Sequence, residues 1–113
     1  MRPAAWLLAG LVFGTAACQQ VPDRDAGQGL AFAQGACGGC HAVERYGASP
    51  NPDSPPFAAI VNQAGLSRET LGSWLHAAHN YPEEMEFSLD DGEVDTLVDY
   101  MLTLRDPDYR PAI

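Results

Sequence analysis

Lysine is absent from this chain: its six basic residues are all arginine, set against fifteen acidic ones, for a formal net charge of −9. So acidic a balance excludes a nucleic-acid partner, because phosphates are held by a basic patch. It equally excludes electrostatic adhesion to anionic lipid. No apolar run reaches the roughly 20 residues that a transmembrane helix needs. No stretch sustains the period-two alternation of a strand, and no internal repeat is visible, so the reading is all-α with extended loops. A length of 113 residues holds one domain and leaves no room for a second core. Cysteine is scarce, with three residues at positions 18, 37 and 40.

The first segment stands apart from that domain. Met1–Ala17 carries Arg2, an apolar run from Ala4 to Phe13 and a small-residue end, Gly14-Thr15-Ala16-Ala17. That order is the pattern of a secretory signal peptide, cleaved before Cys18. Cys18 at its end resembles the lipobox of bacterial lipoproteins, with Thr15 where that motif usually has Leu. The expectation is an exported, periplasmic chain whose membrane contact is a lipid at Cys18. Ordinary cleavage near Ala17, leaving a free thiol, is the alternative. Residues 18–28 then read as a polar tether, 29–105 as the domain and 106–113 as a tail. Gly47–Pro56, "GASPNPDSPP", reads as a surface loop because its prolines remove backbone donors.

Helical patterns fill the rest. The first runs from about Gly29 to Cys37, with Leu30, Phe32 and Ala33 on its apolar side. Phe57–Ala64 is a short helix after Pro55-Pro56. A third begins at the N-cap Ser67, with Leu66 and Leu71 as a hydrophobic staple and Leu71, Trp74, Leu75 and Ala78 on one face. The last opens with Asp90 and Glu93 at capping-box spacing, with Leu89 and Val94 as the staple. Its stripe is Val94, Leu97, Val98, Met101 and Leu102, and Pro107 prevents continuation.

Between the first two helices lies Cys37-Gly38-Gly39-Cys40-His41. A helical turn starting at Cys37 puts Cys40 and His41 at i+3 and i+4, on one side. Two thiols there can bond a porphyrin's vinyl groups while the imidazole reaches the iron, and C-x-x-C-H is the signature of haem attachment. Gly38 and Gly39 each cost about 1 kcal/mol of helix propensity against Ala, and their lack of side chains lets a macrocycle approach the backbone. A structural zinc site needs a fourth ligand and usually a second Cys knuckle, which the chain lacks. A redox C-x-x-C needs a βαβ context, for which there are no strands.

A haem iron needs a sixth ligand or an open position, and the candidates are Met85, Met101, His76 and His79. Met101 falls on the apolar stripe and reads as core. Met85 lies in "NYPEEMEF", a polar non-periodic loop with no core role for a methionine, and is the first choice. His/Met ligation raises the reduction potential. His79 is the alternative and would give a bis-His iron; otherwise His76 and His79 are solvated residues at a helix end.

These features together resemble a small class I cytochrome c over nearly all of Gly29–Leu104. The family has a Gly and an aromatic before C-x-x-C-H, similar to Gly29 and Phe32. It has a helix bearing an aromatic before the ligand Met, similar to "LGSWLHAAHNYPEEM". It ends in a helix like "LDDGEVDTLVDYMLTL", whose aromatic packs on the first helix, a role that suits Tyr100. The resemblance implies three to four helices and loops wrapped around one covalently bound haem c, attached at Cys37 and Cys40 with His41 and Met85 on the iron. It implies a Pro carbonyl accepting the His41 N–H, from Pro55 or Pro56, with Pro56 preferred. It also implies that Trp74 points its N–H at a haem propionate, unless Trp74 is simply a core residue on a helix face. In many relatives Pro follows the ligand Met, whereas here Glu86 does.

Glu83, Glu84, Glu86, Asp90, Asp91, Glu93, Asp95 and Asp99 are eight of the fifteen acids. They form a solvated face or, where they border the haem edge, a field that steers a basic redox partner. The functional expectation is an exported electron carrier, cycling Fe(II) and Fe(III) between redox proteins, and not an enzyme. The alternatives are a haem domain with a labile sixth ligand, acting as gas sensor or weak peroxidase, and a cytochrome subunit of a larger dehydrogenase or oxidase.

Overall fold

Helices α1 (Arg24–Ala36), α2 (Phe57–Val61), α3 (Arg68–Ala77) and α4 (Asp91–Leu102) order the chain. They are seen in a computed structural model that describes residues 24–77 and 87–111. No strand occurs among the described residues, and the fold is the all-α, cytochrome c-like arrangement expected above.

Helix α4 is the hub, because among the described residues the backbones of α1, α2 and α3 each approach it and not one another. Its start is set locally. Asp90 Oδ1 accepts the Glu93 N–H at 2.8 Å, and Glu93 Oε2 accepts the Asp90 N–H at 2.9 Å. This reciprocal box satisfies two donors that a helix start otherwise leaves bare. The stripe then falls inward: Val94, Leu97, Val98 and Met101 are each at most 2% exposed, while Leu102 packs at the core's margin. Each such side chain contributes about 1.5–3 kcal/mol by leaving water. Past the last turn, Arg45 donates to the Thr103 carbonyl at 2.7 Å, bringing a cation to the negative end of the helix dipole.

Tyr100 and Gly29 set how α1 crosses α4. A Cβ built on Gly29 would lie 2.3 Å from Tyr100 Cβ and 2.9 Å from the Thr96 carbonyl oxygen. Only glycine admits that approach. Tyr100 is buried, and its hydroxyl donates to the Val43 carbonyl at 2.6 Å. The aromatic of the last helix thus packs on the first, as expected for Tyr100.

Helix α3 begins where its cap signal placed it. Ser67 Oγ accepts the Thr70 N–H at 3.2 Å, and Thr70 Oγ1 accepts the Ser67 N–H at 2.9 Å. Leu71 and Leu75 are its buried residues, while Ala78 lies outside the described residues.

Two helix boundaries differ from the sequence reading. Helix α1 starts at Arg24, not near Gly29, so the last part of the expected tether is wound into helix. Its first turns are polar and carry no apolar period to announce them. Helix α2 ends at Val61 rather than Ala64, because Asn62 turns back on the chain. The Asn62 amide donates to the carbonyls of Ala58 at 2.8 Å and Leu104 at 3.3 Å, and its oxygen accepts the Asp106 N–H at 2.9 Å. The start of the expected tail, at Asp106, is thereby tied to the domain.

Candidate functional site

The C-terminus of α1 turns directly into the Cys motif. The Ala33 carbonyl accepts from the N–H groups of both Cys37 and Gly38, each at 2.9 Å, and closes the helix. The Cys37 carbonyl then accepts from Cys40 at 3.1 Å and His41 at 2.9 Å. This single turn brings Cys37, Cys40 and His41 to the wall of one cleft, as their spacing predicts.

The two glycines of the motif answer to different needs. A Cβ on Gly38 would sit 2.6 Å from the Gln34 carbonyl oxygen, so the chain's own turn demands glycine there. Gly39 has no neighbour within 4 Å of such a Cβ, and it lines the cleft. At Gly39, the absent side chain leaves room for a flat ligand to lie against the backbone.

The cleft has a volume of about 90 Å³ and opens to solvent on one side. Opposite the motif its walls are Phe57 and Ile60 of α2, Trp74 and Leu75 of α3, Phe87, and Leu97 and Met101 of α4. The lining is apolar apart from the motif itself. Burial pushes the Cys37 thiol up to about 11, so it meets this surface as a neutral group. Phe57, Ile60, Leu75 and Leu97 were not among the sequence-predicted site residues. Their signal was the helical spacing that also marks core, and here one face serves both purposes.

His41 is buried against Phe57, with ring centroids 5.6 Å apart. Its Nδ1 lies 2.7 Å from the Pro55 carbonyl oxygen. A carbonyl can only accept, so the proton sits on Nδ1 and leaves the Nε2 lone pair free for a metal. The expected acceptor, Pro56, is corrected to Pro55. The Pro56 carbonyl is already engaged, accepting from Ala59 at 2.9 Å and Ile60 at 3.1 Å as it starts α2.

The remaining candidates separate clearly. Trp74 lines the cleft and is 42% exposed, so it is not a buried core residue. Met101 is core and also cleft wall. His76 stands outside the cleft lining, at the exposed end of α3, 3.6 Å from Asp91. Met85, His79, Glu83, Glu84 and Glu86 lie outside the described residues, as does Cys18. No cluster of three or more His, Cys, Asp or Glu side chains converges on a metal position among the described residues. Paired thiols, a tautomer-fixed imidazole and an apolar slot beside Gly39 do fit a covalently held haem.

Comparison with known proteins agrees. The family model described as Cytochrome c matches residues 25–105. The chain is similar to cytochrome c-552 of Bradyrhizobium diazoefficiens, at 32% identity over 81 residues, covering 72% of this chain and 76% of that protein. No solved structure matches at a comparable level of significance. With this match spanning the described fold, the cleft and the C-x-x-C-H turn, the chain belongs to the small class I cytochromes c, electron-transfer proteins that carry covalently bound haem c.

Proposed function

We propose that the mature chain is an exported monohaem electron carrier, with His41 and Met85 as axial ligands, that passes single electrons between larger redox proteins. The observation that carries this reading is the His41 Nδ1–H donated to Pro55, which leaves Nε2 free to ligate a metal. Cys37 and Cys40 would hold haem by their sulfurs, and the bound iron supplies a one-electron couple. The chain's own residues do the rest. Phe57, Ile60, Leu75, Leu97 and Met101 give the cleft an apolar wall, and an apolar site would disfavour the added charge of ferric iron. The Pro55 carbonyl fixes the imidazole's tautomer and raises its basicity. With His41 and Met85 both on the iron, no coordination site would remain open for a substrate, so the chain would carry electrons and not catalyse a reaction of its own.

The location follows from the N-terminal pattern. Among the described residues no helix is long and apolar enough to cross a membrane. Export by the Met1–Ala17 signal and a lipid at Cys18 would hold the carrier at a membrane face. Labelling with a radioactive fatty acid should mark the wild-type protein and leave Cys18→Ser unmarked; equal labelling removes the anchor.

The ligand set is tested by the ferric absorption spectrum after extraction with acidified organic solvent, which strips loose haem. Retained colour and a sulfur-to-iron band, lost in Met85→Ala, support the proposal. Retained colour without that band moves the assignment to His79 or to an open position.

A further inference from the structure

The peptide around His41 is held by more than Pro55. The loop after the motif folds back along Cys40–Val43 and bonds it at successive points. Asn51 N–H donates to the Cys40 carbonyl at 3.1 Å, and Phe57 N–H to the Ala42 carbonyl at 2.9 Å. One of these bonds uses a side chain: the Ala42 N–H donates to Ser49 Oγ at 3.0 Å. From the other side, Tyr100 holds the Val43 carbonyl. Two of the loop's bonds therefore fasten Ala42, the residue directly after His41, and Phe57 is two residues from Pro55.

We infer that Ser49 is a positioning residue for the iron ligand. Its hydroxyl fastens the proline loop to the backbone of Ala42, and so holds the Pro55 carbonyl at hydrogen-bond distance from His41 Nδ1. Ser49 bonds Ala42 rather than His41 and is not among the residues lining the cleft; it acts through the loop. Two features favour this over a passive turn residue. The contact spans seven residues of chain, so it closes the loop rather than capping a local turn. The loop has its own internal braces, since Asp53 N–H donates to Asn51 Oδ1 and Ser54 N–H to the Asn51 carbonyl, both at 3.0 Å. Ser49 is not needed for those braces; its bond joins the loop to the ligand's peptide. Loss of the hydroxyl would lengthen the His41–Pro55 bond, make the imidazole less basic and so disfavour ferric iron.

The inference rests on His41 ligating the iron, and hyperfine-shifted His41 ring signals in the ferric wild-type protein report that independently. The test is NMR exchange of the His41 Nδ1 proton, together with the midpoint potential, in the haem-loaded Ser49→Ala, Ser49→Thr and Asn51→Ala proteins. Ser49→Ala should exchange about fivefold faster or more and have a higher potential. Ser49→Thr keeps the hydroxyl and should match wild type in both. Asn51→Ala removes an internal brace and should melt lower with little change in potential. Wild-type exchange and potential in Ser49→Ala, or a Ser49→Thr that behaves like Ser49→Ala, would overturn the assignment. If Ser49→Ala does not mature, the wild-type protein decides. Under mild denaturant the Ala42 N–H and His41 Nδ1–H should open together, and separate opening overturns the inference. A ferric protein lacking shifted His41 ring signals ends the ligand assignment and this one with it.

Discussion

Gly29 lies so close beneath Tyr100 that the two Cα–Cβ positions could not both be occupied: a Cβ at Gly29 would be 2.3 Å from the tyrosine's own. In an isolated helix, Gly→Ala gains about 1 kcal/mol. Here the added methyl also meets the Thr96 carbonyl oxygen at 2.9 Å, and backbone cannot step aside as a side-chain tip can. Overpacking of this kind costs about 1–3 kcal/mol or more. Gly29→Ala should therefore lower the denaturant midpoint. Gly35→Ala, on the same helix with nothing within 4 Å, should leave it unchanged or raise it slightly. Equal effects at the two sites would mean that the α1–α4 crossing tolerates more separation than this geometry allows.

Alkaline stability should report on Tyr100. Burial, with the Glu44 carboxylate adding to it, raises its phenol above the ordinary value of 10.0. The folded chain thus holds this proton more tightly than the unfolded chain does. Its contribution is full below pH 10 and is lost as pH rises through the higher, folded value. Ionisation would also remove the donor that Val43 accepts. Tyr100→Phe should cost about 1 kcal/mol at neutral pH and flatten the loss of stability above pH 10. Thermal midpoints measured across that window check both effects.

Salt should slow electron transfer with a basic partner. Asp91 and Asp95 are exposed on α4, close in sequence to Phe87 at the cleft. Raising ionic strength from 0.01 to 0.15 M shortens the Debye length from about 30 to about 8 Å. The bimolecular rate should fall about tenfold over that range, and Asp91→Asn with Asp95→Asn should weaken the dependence. Stopped-flow mixing gives both slopes. A rate independent of salt would remove the steering role of these acids.

What was legible in the sequence was local. The box at Asp90 and Glu93 involves neighbours along one turn, and Ser67 with Thr70 is equally short-range, so both helix starts could be read directly. The stripe from Val94 to Met101 was legible because one face of a helix has one period. The start of α1 was not, since its opening turns offer no apolar rhythm and only the packing of Gly29 on Tyr100 shows how the helix is placed. The choice between Pro55 and Pro56 turns on which carbonyl α2 consumes for its own first turn, which depends on where that helix starts. Ser49 had no signal at all: a hydroxyl in a proline-rich loop looks like any other until the loop is closed.

The arrangement of three helices around α4, whose backbones among the described residues approach α4 and not one another, bears on the order of the protein's assembly. Among the described residues the cleft lies between these spokes. A haem held in the cleft would lie against residues of α2, α3, α4 and the end of α1 at once. A chain that has not received it is short of internal surface on several sides together, and the deficit cannot be made good one helix at a time. Attachment at Cys37 and Cys40 is then less a late decoration than the step that commits the chain to its shape. A copy that misses that step should be cut by proteases more readily than the haem-loaded chain.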